Sequence, residues 1–204
     1  MIHVYRIPFS TNVERVALAL AYKGLAVEWI DVDPADRSPI AAVSGQELVP
    51  VLVDGSTTLH DSPAILRYLE EIAPDPPLYP AEPARYAEVE VFVEWFNRVW
   101  KRPPNELAEE IEKTRPDPAL VEALEVELEG SLRLFEGLLS GRDFLFGDFG
   151  IADVIAFPFL KYATLWVDGD EEVFHKVLRD GLRLNGRYPG VEAWISRVDA
   201  RPRA

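Results

Sequence analysis

Ser10 is the residue whose type and position most directly suggest chemistry. It lies in the segment Pro8-Phe9-Ser10-Thr11-Asn12-Val13-Glu14-Arg15-Val16, where a short apolar strand runs into an amphipathic helix. The N-terminus of a helix carries partial positive charge and stabilises anions. A hydroxyl at this place is therefore suited to donate a hydrogen bond to a thiolate.

Two interpretations of this turn compete. Thr11 and Glu14 form a T-x-x-E capping box, in which Thr11 caps the Glu14 amide and Glu14 reaches back to the Thr11 amide. If Thr11 is the cap, Ser10 lies just outside the helix and its hydroxyl is free for a ligand. If Ser10 is the cap, its oxygen is used by unpaired backbone donors of the helix, and the residue is structural.

The elements that position Ser10 belong to a regular order. Hydrophobic alternation predicts strands at residues 2–6 and 27–32 with a helix at 11–23 between them, which makes a β-α-β unit with parallel strands. A turn at Asp54-Gly55-Ser56 predicts a hairpin between two further strands. The first 75 residues or so thus follow the order β-α-β-α-β-β-α, with the later elements near 38–43, 49–53, 57–60 and 63–72.

A proline-rich connection ends this region. Five prolines lie between residues 74 and 83, where they stiffen the chain and cannot continue a helix. We therefore expect one domain at residues 1–77, a linker at 78–83 and a second domain at 84–204. The second domain is predicted to be all-helical, with helices at 84–101, 118–139, 151–166, 171–182 and 191–200.

Composition limits the possible function classes. The chain has 204 residues, 48% of them hydrophobic and 27% charged, which is typical of a folded soluble protein. A net charge of -14 disfavours nucleic acid and anionic membranes as partners. No segment has the roughly 20 apolar residues of a membrane span, so we expect a cytoplasmic protein.

The absence of cysteine excludes several mechanisms. Without cysteine there are no disulfides, no thiolate metal ligands and no thiol nucleophile supplied by the enzyme. The three histidines, His3, His60 and His175, are scattered without ligand spacing. We therefore expect no metal in the function of this protein.

With these features the chain resembles the glutathione transferase family. The order of the first elements is that of the thioredoxin-like fold, and an all-helical domain after a proline-rich linker completes the resemblance. The expected fold class is α/β followed by all-α, a thioredoxin-like domain and then an all-helical domain. The Ser10 segment is similar to that of phi-type and related bacterial members, in which the serine activates glutathione.

The dipeptide Val49-Pro50 is a second motif of the resemblance. It looks like the family's X-Pro step before the third strand, where a cis-proline lets the preceding backbone pair with the cysteinyl part of glutathione. The alternative is an ordinary edge proline, since only about 5 to 6% of X-Pro bonds are cis. Leu48 stands where many relatives carry glutamine, which leaves a side-chain contact there in doubt.

The segment Asp61-Ser62-Pro63 is a third motif, similar to the family's acidic-Ser pair at the start of the third helix. Pro63 suits the first helical position, with Ser62 as cap and the next amides free. Such an N-terminus fits the γ-glutamyl carboxylate of glutathione, while Asp61 can pair with the α-ammonium. The alternative is that Ser-Pro only starts a helix.

Other residues follow from the resemblance or from position. Arg37 is the candidate for the glycyl carboxylate, with an ordinary surface arginine as the alternative. Gly150 and Asp153 resemble the family's folding motif, so Asp153 is expected to be structural. The electrophile is expected to bind between the domains. We expect aromatic and charged residues to line this site, with packing in the core as the alternative role for the aromatics. These residues are Phe9, Trp95, Arg98, Trp100 and Arg102.

The resemblance implies a cytoplasmic, homodimeric detoxification enzyme with glutathione as co-substrate. Ser10 would hold the glutathione thiolate for conjugation to a small electrophile, or for peroxide reduction or isomerisation. The lack of a cysteine argues against thiol-disulfide exchange. Three alternatives remain: a non-catalytic binding or assembly module of the same fold, a carrier of apolar metabolites, and an enzyme that uses another small thiol.

Overall fold

The computed structural model describes residues 1–204, which form two compact units. The first unit contains Met1–Leu78 together with Arg201–Ala204, and the second contains Tyr79–Ala200. The grouping of the last four residues with the first unit is not apparent from the sequence.

The first unit is a four-stranded sheet with three helices. The strands stand in the order β2-β1-β3-β4; β1 and β2 are parallel, whereas β3 is antiparallel to both of its neighbours. This order confirms the predicted thioredoxin-like fold class. The elements are β1 (Ile2–Arg6), α1 (Thr11–Tyr22), β2 (Val27–Asp31), α2 (Ser38–Ser44), β3 (Val51–Asp54), β4 (Thr57–His60) and α3 (Ser62–Ile72).

Strand pairing brings one end of three strands to the same edge of the sheet. Tyr5 of β1 lies opposite Val51 of β3, and Val51 lies opposite His60 of β4. The residues that follow β1, precede β3 and follow β4 therefore emerge side by side. These are the three segments that carry Ser10, Val49-Pro50 and Asp61-Ser62.

The helices of the first unit follow their apolar faces. α1 packs against α3, and the buried residues of α3 are Ser62, Ile65, Leu66 and Leu69. Gly55 adopts a φ of 59° in the two-residue turn between β3 and β4, a conformation that glycine adopts readily. The predicted hairpin is therefore confirmed: β4 has the predicted bounds, whereas β3 begins two residues later and ends one residue later than predicted.

The second unit is all-helical, as predicted. Residues 96–100 form a π-helical segment after α4, and a short 3₁₀ turn at 161–163 follows α7. The predicted helices at 84–101 and 151–166 therefore end earlier as α-helices. The helices are α4 (Pro83–Trp95), α5 (Arg102–Ile111), α6 (Pro118–Leu138), α7 (Ile151–Leu160), α8 (Val173–Gly181) and α9 (Pro189–Asp199).

Helix α5 was not expected from the sequence. Pro103 and Pro104 near its start interrupt the apolar pattern, yet they fall in the first turn of the helix. Proline is tolerated there because the first backbone N–H groups of a helix have no partner within it. The two prolines thus lie within the first turn of α5 and are compatible with the helix.

Candidate functional site

Ser10 is the N-cap of α1, which begins at Thr11. Its side-chain oxygen accepts a hydrogen bond from the Val13 amide at 3.4 Å, and its carbonyl accepts from the Glu14 amide at 3.0 Å. The interpretation with Thr11 as cap is therefore wrong. Thr11 is the first helical residue and is buried, because the chain enters the helix one position earlier than a T-x-x-E box requires.

The cap position does not exhaust the Ser10 hydroxyl. A hydroxyl has one proton to donate and two lone pairs, and the Val13 amide engages only one lone pair, over a long distance. Capping the helix therefore does not make Ser10 purely structural, because the hydroxyl can accept one hydrogen bond and donate another. Ser10 is half-buried, so the proton of its hydroxyl remains available to a ligand at the start of α1.

The backbone just before Ser10 adopts a rare conformation. Phe9 has a φ of 63°, and its side chain is 39% exposed. A positive φ at a bulky aromatic residue is unusual and marks a tightly constrained turn. The turn orients the start of α1 and leaves an exposed aromatic ring next to Ser10.

The Val49–Pro50 peptide bond is cis, which confirms that prediction. The Val49 side chain packs on a core cluster that includes Ile7 and Val51. Leu48, by contrast, is largely exposed. The N–H and C=O of Val49 have no hydrogen-bond partner within the protein. The side chain of Val49 therefore fixes its position, while its backbone is free to pair with a ligand.

Helix α3 begins one residue earlier than expected. Asp61 is its N-cap and Ser62 its first residue, whereas the sequence suggested Ser62 as cap. Asp61 has φ 73° and ψ 117°, and its carboxylate makes no capping hydrogen bond. The exposed Asp61 carboxylate therefore stays available, and the amides of Ser62 and Ala64 donate to no group of the protein.

A buried arginine, which the sequence analysis did not single out, connects α1 to the start of α3. Arg15 is 1% exposed, and its Nη1 donates to Asn12 Oδ1 and to Ser62 Oγ, both at 3.1 Å. Ser62 Oγ in turn donates to Asn12 Oδ1 at 3.3 Å. One signal could have found it: Arg15 is a charged residue between the apolar positions Val13 and Val16 of a buried helix.

Arg37 lies at the N-cap position of α2. Its guanidinium donates to the carbonyl of Pro34 at 3.3 Å and to that of Glu47 at 3.4 Å. These contacts hold together the loops before and after α2 and use two of the five N–H groups of the side chain. Arg37 therefore has donors left for an anion.

The aromatic and charged residues proposed for the electrophile belong to the second unit, apart from Phe9. Trp100 is 3% exposed, stacks on Phe96 and donates its Nε1 to Ser131 Oγ at 2.9 Å, which makes it a core residue. Trp95 is half-buried against Phe92. For Trp100 the structure favours the core role that was the alternative, whereas Trp95 keeps part of its side chain exposed.

The two arginines of that set are engaged on the surface of the second unit. Arg98 is exposed and pairs with Glu94 at 2.8 Å. Arg102 pairs with Glu106 at 3.1 Å and with Glu127 at 3.0 Å. Exposed pairs of this kind contribute little to stability.

Asp153 organises the start of α7. Its Oδ1 accepts from the Leu145 amide at 3.0 Å and from Trp194 Nε1 at 2.7 Å, and its Oδ2 accepts from the Gly150 amide at 3.0 Å. Burial raises the pKa of Asp153 to about 6, although these three donors favour the carboxylate. These contacts and the burial of the side chain support a structural role for Asp153.

No helix of the structure combines the length and apolar character that crossing a bilayer requires. His, Cys, Asp and Glu side chains form no group of three or more that could hold a metal ion.

The fold and the three segments at one sheet edge define a protein with a thioredoxin-like domain followed by an all-helical domain. The family model described as Glutathione S-transferase, N-terminal domain matches residues 4–77, and the Glutathione S-transferase, C-terminal domain model matches residues 118–197. The chain therefore belongs to the glutathione S-transferase family. It is a glutathione S-transferase that uses glutathione as its co-substrate.

Individual relatives resemble the chain along most of its length. Glutathione S-transferase 3 of Zea mays is 33% identical, and the alignment covers 98% of this chain and 89% of the relative. Glutathione S-transferase PARB of Nicotiana tabacum is 28% identical, and the alignment covers 98% of this chain and 94% of PARB. Glutathione S-transferase GstB of Escherichia coli K12 is 27% identical, and the alignment covers 95% of this chain and 90% of GstB.

Solved structures give the same result for the fold. A glutathione S-transferase from Rhodospirillum rubrum F11 has a TM-score of 0.75 and 29% identity, covering 99% of this chain and 89% of that one. A glutathione S-transferase from Methylobacterium radiotolerans, solved in complex with glutathione sulfonate, has a TM-score of 0.79 and 23% identity. It covers 98% of this chain and 91% of the other.

Proposed function

We propose that the protein conjugates glutathione to small electrophiles and that the Ser10 hydroxyl stabilises the glutathione thiolate. In the reaction the thiolate sulfur attacks an electrophilic carbon, a C–S bond forms, and the leaving group departs with its electron pair. The enzyme contributes no covalent intermediate. The supporting observation is the half-buried Ser10 hydroxyl at the N-terminus of α1, beside Val49 and Asp61-Ser62 at one sheet edge.

The three segments supply complementary groups for a thiol tripeptide. The free N–H and C=O of Val49 suit the backbone of the cysteinyl residue. The unpaired amides of Ser62 and Ala64 suit a carboxylate, and the exposed Asp61 suits an ammonium group. Arg37 is the proposed contact for the glycyl carboxylate. The exposed ring of Phe9 is the proposed apolar contact for the electrophile within the first unit.

The energy required is within the reach of one hydroxyl. Lowering a thiol pKa by about two units takes about 2.7 kcal/mol of differential stabilisation. A hydrogen bond to a charged group contributes about 1.5–3 kcal/mol, and the helix dipole adds about 0.3–1 kcal/mol. Ser10 together with the start of α1 is therefore sufficient.

The test compares Ser10→Ala with Thr11→Val, which removes the neighbouring hydroxyl of the same turn. Glutathione binding is measured by calorimetry, the bound thiolate by ultraviolet absorbance across pH, and conjugation by turnover of chlorodinitrobenzene. We expect Ser10→Ala to raise the pKa of the bound thiol by about one to two units and to lower kcat/KM at neutral pH about 10- to 100-fold. Thr11→Val should change neither quantity.

Each other outcome has a definite meaning. An unchanged thiol pKa in Ser10→Ala would refute the role of Ser10. Wild-type protein that binds glutathione and turns over no electrophile would support the non-catalytic module. Turnover of cumene hydroperoxide without conjugation would indicate peroxide reduction. Equal affinity for γ-glutamylcysteine and glutathione would mean that the glycyl end is not recognised and that Arg37 has no binding role.

We also propose that the enzyme acts as a homodimer in the cytoplasm. Both features are typical of the family to which the chain belongs. Light scattering coupled to size-exclusion chromatography gives the mass, for which twice 23.0 kDa is the expected value. A monomeric mass at micromolar concentration would contradict the dimer.

A further inference from the structure

Arg15 is unusual among the residues of the first unit. It is a charged side chain in α1 that is only 1% exposed, and all of the residues that follow it from Val16 to Leu20 are apolar and buried. A buried cation is unfavourable unless hydrogen bonds and an opposite charge compensate it. A neutral apolar residue would satisfy the packing of α1 equally well, so the charge calls for another explanation.

The hydrogen bonds of Arg15 fix the direction of the Ser62 hydroxyl. A guanidinium can only donate, so Ser62 Oγ must act as the acceptor from Arg15 Nη1 at 3.1 Å. The single proton of Ser62 is thereby directed to an acceptor, which is Asn12 Oδ1 at 3.3 Å in this structure. A carboxylate at the start of α3 is a stronger acceptor than an amide oxygen and would take that proton.

The charge of Arg15 fits the same ligand group. Burial lowers the pKa of Arg15 to about 9, and the nearby Asp61 carboxylate opposes this decrease, so Arg15 is a cation at neutral pH. Asp61 is exposed and makes no capping hydrogen bond, so an ammonium group can approach it. The Arg15 cation, which is hydrogen-bonded to Ser62, and the adjacent Asp61 carboxylate form a pair of charges complementary to an amino acid zwitterion.

We propose that Arg15 is a positioning residue for the α-amino-acid end of the γ-glutamyl group, acting through Ser62. Arg15 holds the Ser62 hydroxyl as a donor toward the α-carboxylate and supplies the positive charge that this carboxylate neutralises. The inference rests on the proposed binding of glutathione by this domain. It adds a residue from α1 to a subsite otherwise built by the start of α3.

The test measures how much of the affinity depends on the γ-glutamyl group. Dissociation constants for glutathione and for cysteinylglycine, which lacks that group, are determined with Arg15→Met and wild type. The affinity ratio is the affinity for glutathione divided by the affinity for cysteinylglycine. We expect Arg15→Met to lower this ratio about 10- to 100-fold. The KM for glutathione should rise by a similar factor while kcat at saturation stays within about twofold.

Lys23→Met is the matched control. Lys23 is a second buried cation at the end of α1, with its Nζ bonded to the carbonyls of Ala73 and Pro76 and paired with Glu70. Its removal should destabilise the first unit as well, yet leave the affinity ratio and the KM unchanged. An equal fall of the ratio in Lys23→Met would attribute the effect to stability and overturn the proposal.

Asn12→Asp separates binding from folding if Arg15→Met fails to fold. The new carboxylate would pair with Arg15 and take the Ser62 proton, so it should raise or preserve the melting temperature and still lower the affinity ratio about tenfold. An unchanged ratio in Asn12→Asp would overturn the proposal. Failure of wild-type protein to bind glutathione would instead refute the proposed function, because the role of Arg15 presupposes that binding.

Discussion

Asp153 allows a quantitative test of how the second unit is held together. The perturbation is Asp153→Asn, which keeps the shape and one acceptor oxygen of the side chain. That oxygen can still accept from the Leu145 amide and Trp194 Nε1, but the new NH₂ group would face the Gly150 amide. One part-buried N–H then loses its acceptor, at a cost of about 1–3 kcal/mol.

The pH dependence distinguishes this site from an ordinary carboxylate. Burial raises the pKa of Asp153 from 3.8 to about 6 in the folded protein, so between these values the folded state binds a proton that the unfolded state lacks. Stability contributed by this group therefore increases as the pH falls through this range. At about 1.4 kcal/mol per pKa unit, the full increase is about 3 kcal/mol. About 2.4 kcal/mol of it is reached between pH 7 and pH 4, because the unfolded carboxyl is itself partly protonated at pH 4.

The assay is chemical denaturation of wild type and Asp153→Asn at several pH values from 7 to 4, at one protein concentration. We expect the stability of wild type relative to the variant to rise by about 2.4 kcal/mol between pH 7 and pH 4. The difference between two proteins cancels the titration of the other carboxylates. Asp148→Asn, at an exposed position of the same loop, is the control and should stay within about 0.5 kcal/mol of wild type.

A difference that stays flat or falls toward pH 4 would refute the reasoning. It would mean that the three N–H donors outweigh burial and keep Asp153 ionised in the folded state. The carboxylate would then contribute stability at neutral pH that is lost in acid, as for an ordinary paired carboxylate.

Two further predictions concern helix packing in the second unit. Gly181→Ala should lower stability by about 1–3 kcal/mol in denaturant titrations, because the added Cβ would lie 2.5 Å from Cδ2 of the buried Leu128. Gly130→Ala, where the added Cβ meets nothing within 4 Å in the middle of α6, should instead stabilise by about 0.5–1 kcal/mol; equal effects at the two glycines would contradict this. Glu136→Ala should cost about 1–2 kcal/mol in thermal or denaturant unfolding, because Glu136 accepts from the amides of Gly190 and Val191 at the start of α9. A Glu136→Ala protein as stable as wild type would show that these two bonds contribute nothing.

Local patterns in the sequence were sufficient for most elements of the fold. Hydrophobic alternation predicted the β-α-β unit, and the turn at Gly55 predicted the hairpin. Both signals are local, because side-chain periodicity and a positive φ are set by residues close together in the chain. Element ends were less accurate: α3 begins one residue early, and α5, with two prolines in its first turn, lies where no helix was predicted. Helix ends depend on how the unpaired backbone groups are satisfied, and distant contacts decide that.

The sequence by itself determined the chemical groups of this protein: a hydroxyl before α1, no cysteine, an X-Pro step and an acidic-Ser pair. Tertiary structure decided which of these groups meet. Strand register brings Ser10, Val49 and Asp61 to one sheet edge, and packing of α1 on α3 buries Arg15 against Ser62. Contacts between residues 47 positions apart depend on the path of the whole chain, so no local pattern could specify them.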